Sequence, residues 1–298
     1  MKTRSIFAAI AVSMALPLSL CAQNALKDGT SLAWDKEITV TPDSIGNNGV
    51  AVPAFTVPVY ESNASQVTSL LKTVIPGASF KKQGDLLKAA GASFGNTGIP
   101  MDLLARVVQD KKAGMSKLSL AFLQPGTGNV VENPALQAAV REAGVGLNKG
   151  VVQAQVDEWR KKLDKAGSKT AGATKDQDKV QGKLNKAQAQ LQKTAKEKSK
   201  LQNEHAILQK EIDLENQKWT LSQNPKDLKR LTKARTKITK NESKMAKVMD
   251  TEASAQKDLS KSTESLPDAQ KAKEQKVSAQ AEVQRTVDAL QRKLESIR

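Results

Sequence analysis

Seven basic residues recur along the stretch from Lys226 to Val248 at alternating steps of four and three. They are Lys226, Arg230, Lys233, Lys237, Lys240, Lys244 and Lys247. On an α-helix this spacing predicts a single row, called the basic ribbon below, on the side turned away from the helix's apolar positions. The stretch 226–247 contains nine Lys or Arg but only Asp227 and Glu242 as acids. Because too few acidic neighbours along the helix balance its charge, the row is a candidate binding site for an anionic surface. The alternative interpretation is that the row keeps an exposed helix soluble.

Residue types that metal binding or nucleophilic catalysis require are scarce. The sequence contains one His, His205, and one Cys, Cys21. The candidate acids of the N-terminal half, Asp85, Asp102, Asp110 and Glu132, show no spacing that would pair two carboxylates. We therefore predict a protein that is not an enzyme, with no catalytic residues, metal site or cofactor. A hydrolase with its site in the N-terminal domain stays open as an alternative.

The segment GVGLNKG, residues 144–150, has the glycine content of a phosphate-binding loop. A dinucleotide-binding loop follows a strand and opens the helix of a βαβ unit, and no such unit precedes this segment. We interpret it as a helix end followed by a linker.

The N-terminus is typical of a secretory signal peptide. Lys2 and Arg4 precede an apolar run from Ile6 to Leu20, and the run is too short to span a bilayer. We predict a signal peptide over residues 1–22 and an exported protein, periplasmic or secreted, without a transmembrane segment. Lipid attachment at Cys21 is the alternative to cleavage after Ala22.

The predicted mature chain is strongly cationic. Removing Lys2 and Arg4 leaves 45 Lys and Arg against 31 Asp and Glu, a net charge of +14. Aromatic residues, on which nucleic-acid bases stack, are limited after residue 150 to Trp159 and Trp219. The expected partner is therefore an envelope protein, an anionic envelope polymer or a membrane surface rather than a nucleic acid, and self-association stays open.

The C-terminal half has the composition and periodicity of a coiled coil. Apolar or small residues recur at steps of four and three from Val152 to Trp219, and again from Leu231 towards Ile297. Asn224 and Pro225 suit the start of a second helix. Folding the chain back near residue 223 places His205 opposite Asn241 on the seam, where we interpret the two as a polar layer that sets the register.

These patterns predict an α+β protein, with a small mainly antiparallel sheet domain over 23–148 and a long antiparallel coiled-coil helical hairpin over 149–298. The turn is expected near 222–225, and a kink or break near 167–175 and 264–268, where Gly172 and Pro267 lie. In the first domain we expect three or four strands. Among them are a strand at 54–60 and a hairpin on both sides of DKKAG, residues 110–114, with helices after Ser62 and after Asn133.

The expected function is that of an exported, non-enzymatic interaction or scaffold protein with a basic coiled-coil arm, which docks on an anionic envelope surface or an acidic partner. The plan of a small sheet domain followed by a basic helical hairpin resembles in outline that of periplasmic holdase chaperones. That resemblance implies suppression of aggregation as an alternative function.

Overall fold

The computed structural model describes residues 31–298, apart from the side chain of Asn96. The predicted signal peptide and Cys21 lie outside the described residues. The chain divides into two compact units. The first contains the residues up to Glu158 together with Thr286–Arg298, and the second is Trp159–Arg285. Within the described residues, no helix is both long and apolar enough to cross a membrane.

The first unit is built on one six-stranded antiparallel sheet in the order β1-β2-β6-β5-β4-β3. The strands are β1 (Thr41–Asn47), β2 (Val50–Tyr60), β3 (Lys81–Gln83), β4 (Leu86–Ser93), β5 (Pro100–Asp110) and β6 (Met115–Leu123). Helix α1 (Ala64–Val74) follows β2, and a 3-10 turn (Gly95–Thr97) follows β4. Together with the two long helices this confirms the predicted α+β class.

The expected number of strands was too low. The sequence predicted the strand at 54–60 and the β5–β6 hairpin, but not β1, whose residues TPDSIGN are mostly polar and bury only Ile45. Strand β1 forms because Asn48 and Gly49 both adopt positive φ, which is the conformation that a tight two-residue hairpin requires.

The sheet curls so that β1 reaches strands that are not its neighbours. Lys88 on β4 donates a hydrogen bond to the Asn47 side chain at 3.0 Å, and Arg106 on β5 donates to the carbonyl of Ser44 at 3.3 Å. A small apolar cluster fills the inside of the curl: Ile45, Val52, Ala54, Leu86, Leu104, Ala121 and Leu123.

The other side of the sheet carries the main core. Buried residues of β2, β5 and β6 pack there with α1, with the first turns of α2 (Ala135–Ser222) and with the end of α3 (Pro225–Ser296). Helix α1 begins with a capping box, in which Asn63 and Gln66 each bond the other's backbone N–H. It contributes Val67 and Leu71 to this core.

The glycines of GVGLNKG lie inside α2, so the interpretation of this segment as a helix end and linker was wrong. Side chains of β2 and α1 pack directly against the backbone of this turn of the helix. A Cβ atom on Gly144 would lie 2.3 Å from Val57 on β2, and one on Gly150 would lie 2.9 Å from Leu70 on α1. At Gly144 the helix backbone lies too close to Val57 for a Cβ atom to fit without displacing its neighbour.

Two buried polar residues attach the long helices to the end of β2. Asn148 accepts a hydrogen bond from the backbone N–H of Tyr60 and donates to the carbonyl of Pro58, so it satisfies strand groups that have no ladder partner. Lys293 near the end of α3 is fully buried, and its Nζ lies 2.7 Å from both Glu61 Oε2 and the Ser31 carbonyl. Both contacts depend on exact placement of donor and acceptor, so they determine the position of each helix as well as stabilising it.

Both long helices are continuous through the segments where a kink or break was expected, so no break occurs there, and a kink stays a prediction. Helix α2 includes 167–175, and α3 includes Pro267. Proline removes only one helical hydrogen bond, and the seam residues that precede it, Ser262 and Leu266, are buried and half-buried. Packing along the seam therefore maintains the helix where local propensity is weak.

The close approach at Gly144 yields a direct test. Gly144→Ala places a methyl group against Val57, so we expect it to lower the free energy of unfolding by about 1–3 kcal/mol. Gly172→Ala, in the same helix but with open space around the added Cβ, should instead raise stability by about 1 kcal/mol. Thermal unfolding followed by circular dichroism measures both. A Gly144→Ala protein as stable as the Gly172→Ala protein would contradict the packing described here.

Candidate anion-binding flank of the helical hairpin

In the second unit, the two helices pack along the predicted seam. Nearly every predicted seam position is buried or half-buried, and almost all positions between them are exposed. The buried ones include Ala187, Thr194, Leu201 and Leu208 on α2, and Leu231, Ala234, Ile238, Asn241, Val248, Ala255 and Ser262 on α3. The coiled-coil hairpin is therefore confirmed.

The polar layer on the seam has one buried member and one at its edge. Asn241 is buried, and its Nδ2 donates to the carbonyl of Leu201 at 3.3 Å. His205 is half-exposed, with Nε2 3.4 Å from Glu242 Oε1. Across the described residues, no cluster of three or more His, Cys, Asp or Glu is arranged to hold a metal ion.

The turn of the hairpin is tightly hydrogen-bonded. Helix α2 ends at Ser222 and α3 begins at Pro225, with Gln223 in a positive-φ conformation between them. The Asn224 side chain accepts from the backbone N–H of Lys226, and Ser222 donates its hydroxyl to Asp227 at 2.7 Å. Asp227 is thus engaged within the turn through one carboxylate oxygen, and its other oxygen lies 3.6 Å from Arg230.

All seven residues of the basic ribbon are exposed, but they do not lie opposite the seam as expected. Six of them immediately precede a seam position and Lys226 continues their spacing, so the row runs beside the seam. Because a helix advances 100° per residue, such residues lie on one lateral side of the helix pair. We call this side the ribbon flank.

Both helices contribute to the ribbon flank. Lys237 of the ribbon pairs with Glu211 of α2 at 2.8 Å, and Glu211 likewise immediately precedes a seam position. Farther along the hairpin, a groove on this side is lined by Lys183 and Gln190 of α2 and by Thr251 and Asp258 of α3, which all occupy the same class of position. In an antiparallel pair, the residues that precede the seam on either helix therefore meet on one side.

Few of the ribbon cations are neutralised. Lys237 pairs with Glu211, and Arg230 lies 3.6 Å from Asp227. Among the described residues, Lys233, Lys240, Lys244 and Lys247 have no acidic group within 4.0 Å of the ammonium. The charge of the row is therefore available to an outside anion.

The two flanks of the same hairpin segment differ sharply in charge. Beside the seam positions from Leu201 to Val248, the ribbon flank carries nine Lys or Arg (the ribbon plus Lys200 and Lys218) and two acids, Glu204 and Glu211. On the opposite flank, the residues that immediately follow the seam positions include only Arg235 as a cation, with Asp213 and Glu242 as acids. The charge excess at this end of the hairpin therefore lies on one side.

The candidate acids of the sheet domain lie on several different elements. Asp102 accepts a hydrogen bond from the backbone N–H of Gly91, and Asp110 accepts from that of Ala113 in the β5–β6 turn. Both are occupied in shaping the backbone. Asp85 lies in the β3–β4 turn and Glu132 precedes α2, so neither shares a strand or a turn with the other two.

One polar cluster of the sheet was not predicted. Asp43 Oδ2 accepts from the hydroxyls of Thr56 at 2.7 Å and Ser119 at 3.1 Å, and the two hydroxyl oxygens are 2.6 Å apart. The Thr56 hydrogen bond, the Ser44 backbone N–H and the positive charge of Arg106 hold the pKa of Asp43 below its usual value. No local pattern could reveal this cluster, because its members are brought together only by the pairing of β1, β2 and β6.

The sequence matches no protein-family model and no curated protein.

The buried Asn241 makes a testable contribution to the seam. Within the described part of the chain its Oδ1 has no hydrogen-bond partner, and an unsatisfied buried polar atom costs about 1–3 kcal/mol. We therefore expect Asn241→Leu to raise the unfolding midpoint of the hairpin in chemical denaturation. Asn216→Leu, an exposed position on the opposite flank, should leave the midpoint nearly unchanged. An Asn241→Leu protein less stable than the parent would show that the polar layer is net stabilising.

The Asp43 cluster predicts a dependence on pH. A carboxyl whose pKa is lowered on folding stabilises the fold above its unfolded pKa, near 3.8, and this stabilisation is lost as the pH falls through the folded value. Asp43→Asn should therefore be less stable than the parent at pH 7, and the difference should narrow as the pH falls below 4. Urea unfolding at several pH values measures this. A difference that is independent of pH would show that the Asp43 charge contributes nothing.

Proposed function

We propose that the protein is an exported, non-enzymatic interaction protein that docks on an anionic surface of the cell envelope through the ribbon flank of its coiled-coil hairpin. The observation that carries the proposal is the one-sided distribution of charge. Nine cations line the ribbon flank, and one lies on the opposite flank of the same segment.

Solubility alone does not call for this arrangement. A solvated hairpin is equally exposed on both flanks, and mixed charges on both would keep it soluble. The opposite flank of this hairpin is instead built largely from Gln, Ala, Asn and Thr. Cations concentrated on one side repel one another, so their placement has an energetic cost that binding to an anionic surface would offset.

The size of the effect is sufficient for binding. Each Lys or Arg near an anionic membrane surface contributes about 1 kcal/mol. Four unpaired ribbon lysines therefore provide about 4 kcal/mol, or nearly a thousandfold in affinity, before the ion-paired members are considered. The attraction falls with salt, because the Debye length shrinks from about 10 Å at 0.1 M to about 3 Å at 1 M.

The test reverses charge on the flank and leaves the seam intact. Lys233, Lys240, Lys244 and Lys247 are exchanged together for Glu, which has nearly the same helix propensity as Lys. Circular dichroism should show unchanged helicity. Binding to vesicles that contain phosphatidylglycerol, and to immobilised polyphosphate as a lipid-free polyanion, is then measured by co-sedimentation and surface plasmon resonance. We expect a loss of on the order of a hundredfold or more on at least one of these probes.

A matched control separates position from net charge. Lys175, Lys196, Lys257 and Lys271 are also exposed on the same two helices, but they lie on the sides facing away from the seam. Their reversal changes the net charge by the same amount and should weaken binding far less. Equal losses in both variants, or a parent protein that binds neither probe, would overturn the proposal and leave solubility as the explanation of the ribbon.

A further inference from the structure

The ribbon flank also carries apolar side chains that the hairpin leaves uncovered. Ile207, Leu214 and Leu221 of α2 are 67%, 51% and 88% exposed. They recur every seven residues, about 10 Å apart along the helix. The first two immediately precede seam positions and Leu221 continues their spacing, so all three lie on the flank that contains the ribbon. We call them the apolar row.

The ribbon flank is therefore amphipathic across its width. The apolar row runs along α2 and the basic ribbon runs along α3, over the same end of the hairpin. Between them lie Glu204, Glu211 and Lys218, of which Glu211 is paired with Lys237. Exposed large apolar side chains beside unpaired cations are typical of helices that lie in a membrane interface.

We infer that the occupant of the ribbon flank is the surface of an anionic lipid bilayer. The basic ribbon contacts the headgroups, and the apolar row enters the boundary between headgroups and acyl chains. This inference rests on the proposed function and narrows it, since a polymer or an acidic protein domain would satisfy the cations but would leave the three apolar side chains in water.

A second copy of the chain fits the flank poorly. A coiled-coil seam requires apolar residues at two positions of every seven, and the apolar row occupies only one. The remaining positions of the flank are mostly cationic, so two copies brought together through it would repel one another. A bilayer of anionic lipid complements both parts of the flank.

The central experiment removes two of the three members of the apolar row without altering charge. Leu214 and Leu221 are exchanged together for Gln, a good helix former. The full-length chain is then titrated with phosphatidylcholine vesicles with and without phosphatidylglycerol, and with polyphosphate. We expect affinity for phosphatidylglycerol vesicles to fall about tenfold, as the loss of apolar burial requires, while affinity for polyphosphate is unchanged.

The opposite flank offers a matched control. Leu228 and Met249 are 44% and 52% exposed; Met249 immediately follows the seam residue Val248, and Leu228 lies seven residues before Arg235 of the same flank. Their joint exchange for Gln also removes two exposed large apolar side chains and should leave vesicle binding unchanged. An equal loss in the two variants would overturn the inference, because it would show that general hydrophobicity determines binding.

Insertion is also measured directly. Cys21 is the only cysteine, so Cys21→Ser combined with Leu221→Cys carries a single bimane label on the apolar row. With phosphatidylglycerol vesicles, its fluorescence should shift to the blue and be quenched by nitroxide-bearing lipids. The same label at Asn216→Cys, on the opposite flank, should show neither change.

The outcomes separate this inference from the proposed function. Binding to phosphatidylglycerol vesicles that needs the ribbon lysines but not the apolar row, without quenching at position 221, would overturn insertion and keep the docking function. Binding to polyphosphate alone would do the same. A parent protein that binds no anionic probe would overturn both.

Discussion

The seam between α2 and α3 is the constraint on which the rest of the hairpin depends. Each helix carries a narrow apolar strip that must be removed from water, and each strip alone offers too little burial to stabilise a helix of this length. Burying the two strips against each other fixes the rotation of both helices about their axes. Once that rotation is fixed, the position of every other side chain on the hairpin follows.

The antiparallel direction of the pair determines which surfaces combine. Residues that precede the seam on α2 lie beside residues that precede it on α3, as the ion pair between Lys237 and Glu211 shows. The basic ribbon of one helix and the apolar row of the other therefore form one flank. Neither helix alone is amphipathic in this sense, because α3 supplies most of the charge and α2 supplies the apolar groups.

In the sheet domain the helices are not positioned by a repeating seam. They are positioned by the close approach of a helix backbone to the side chains of its neighbours. Gly144 and Gly150 let the first part of α2 lie against β2 and α1. Asn148, between them, bonds strand groups that the sheet leaves unpaired. The Lys293–Glu61 ion pair places the end of α3 against the same region, and its complete burial means that it tolerates little displacement. The six-stranded sheet and its three helices are thus joined by specific polar contacts as well as by their apolar core.

The sequence by itself determined the features that depend on local sequence or on a repeating pattern. These are the coiled-coil pattern from Val152 onward, the turn before Pro225, the β5–β6 hairpin and the basic spacing from Lys226 to Lys247. Each depends on neighbours within a few residues or on a repeat of seven, and such patterns are readable along the chain. The sequence did not predict that α2 continues through 144–150 or that α3 continues through Pro267, because packing outweighs local helix propensity at both places. Strand β1, the Asp43 cluster and the burial of Lys293 involve residues far apart in sequence. Only the tertiary structure decided that the basic ribbon and the apolar row lie on the same flank. This depends on how each of the two helices is rotated about its axis where they meet.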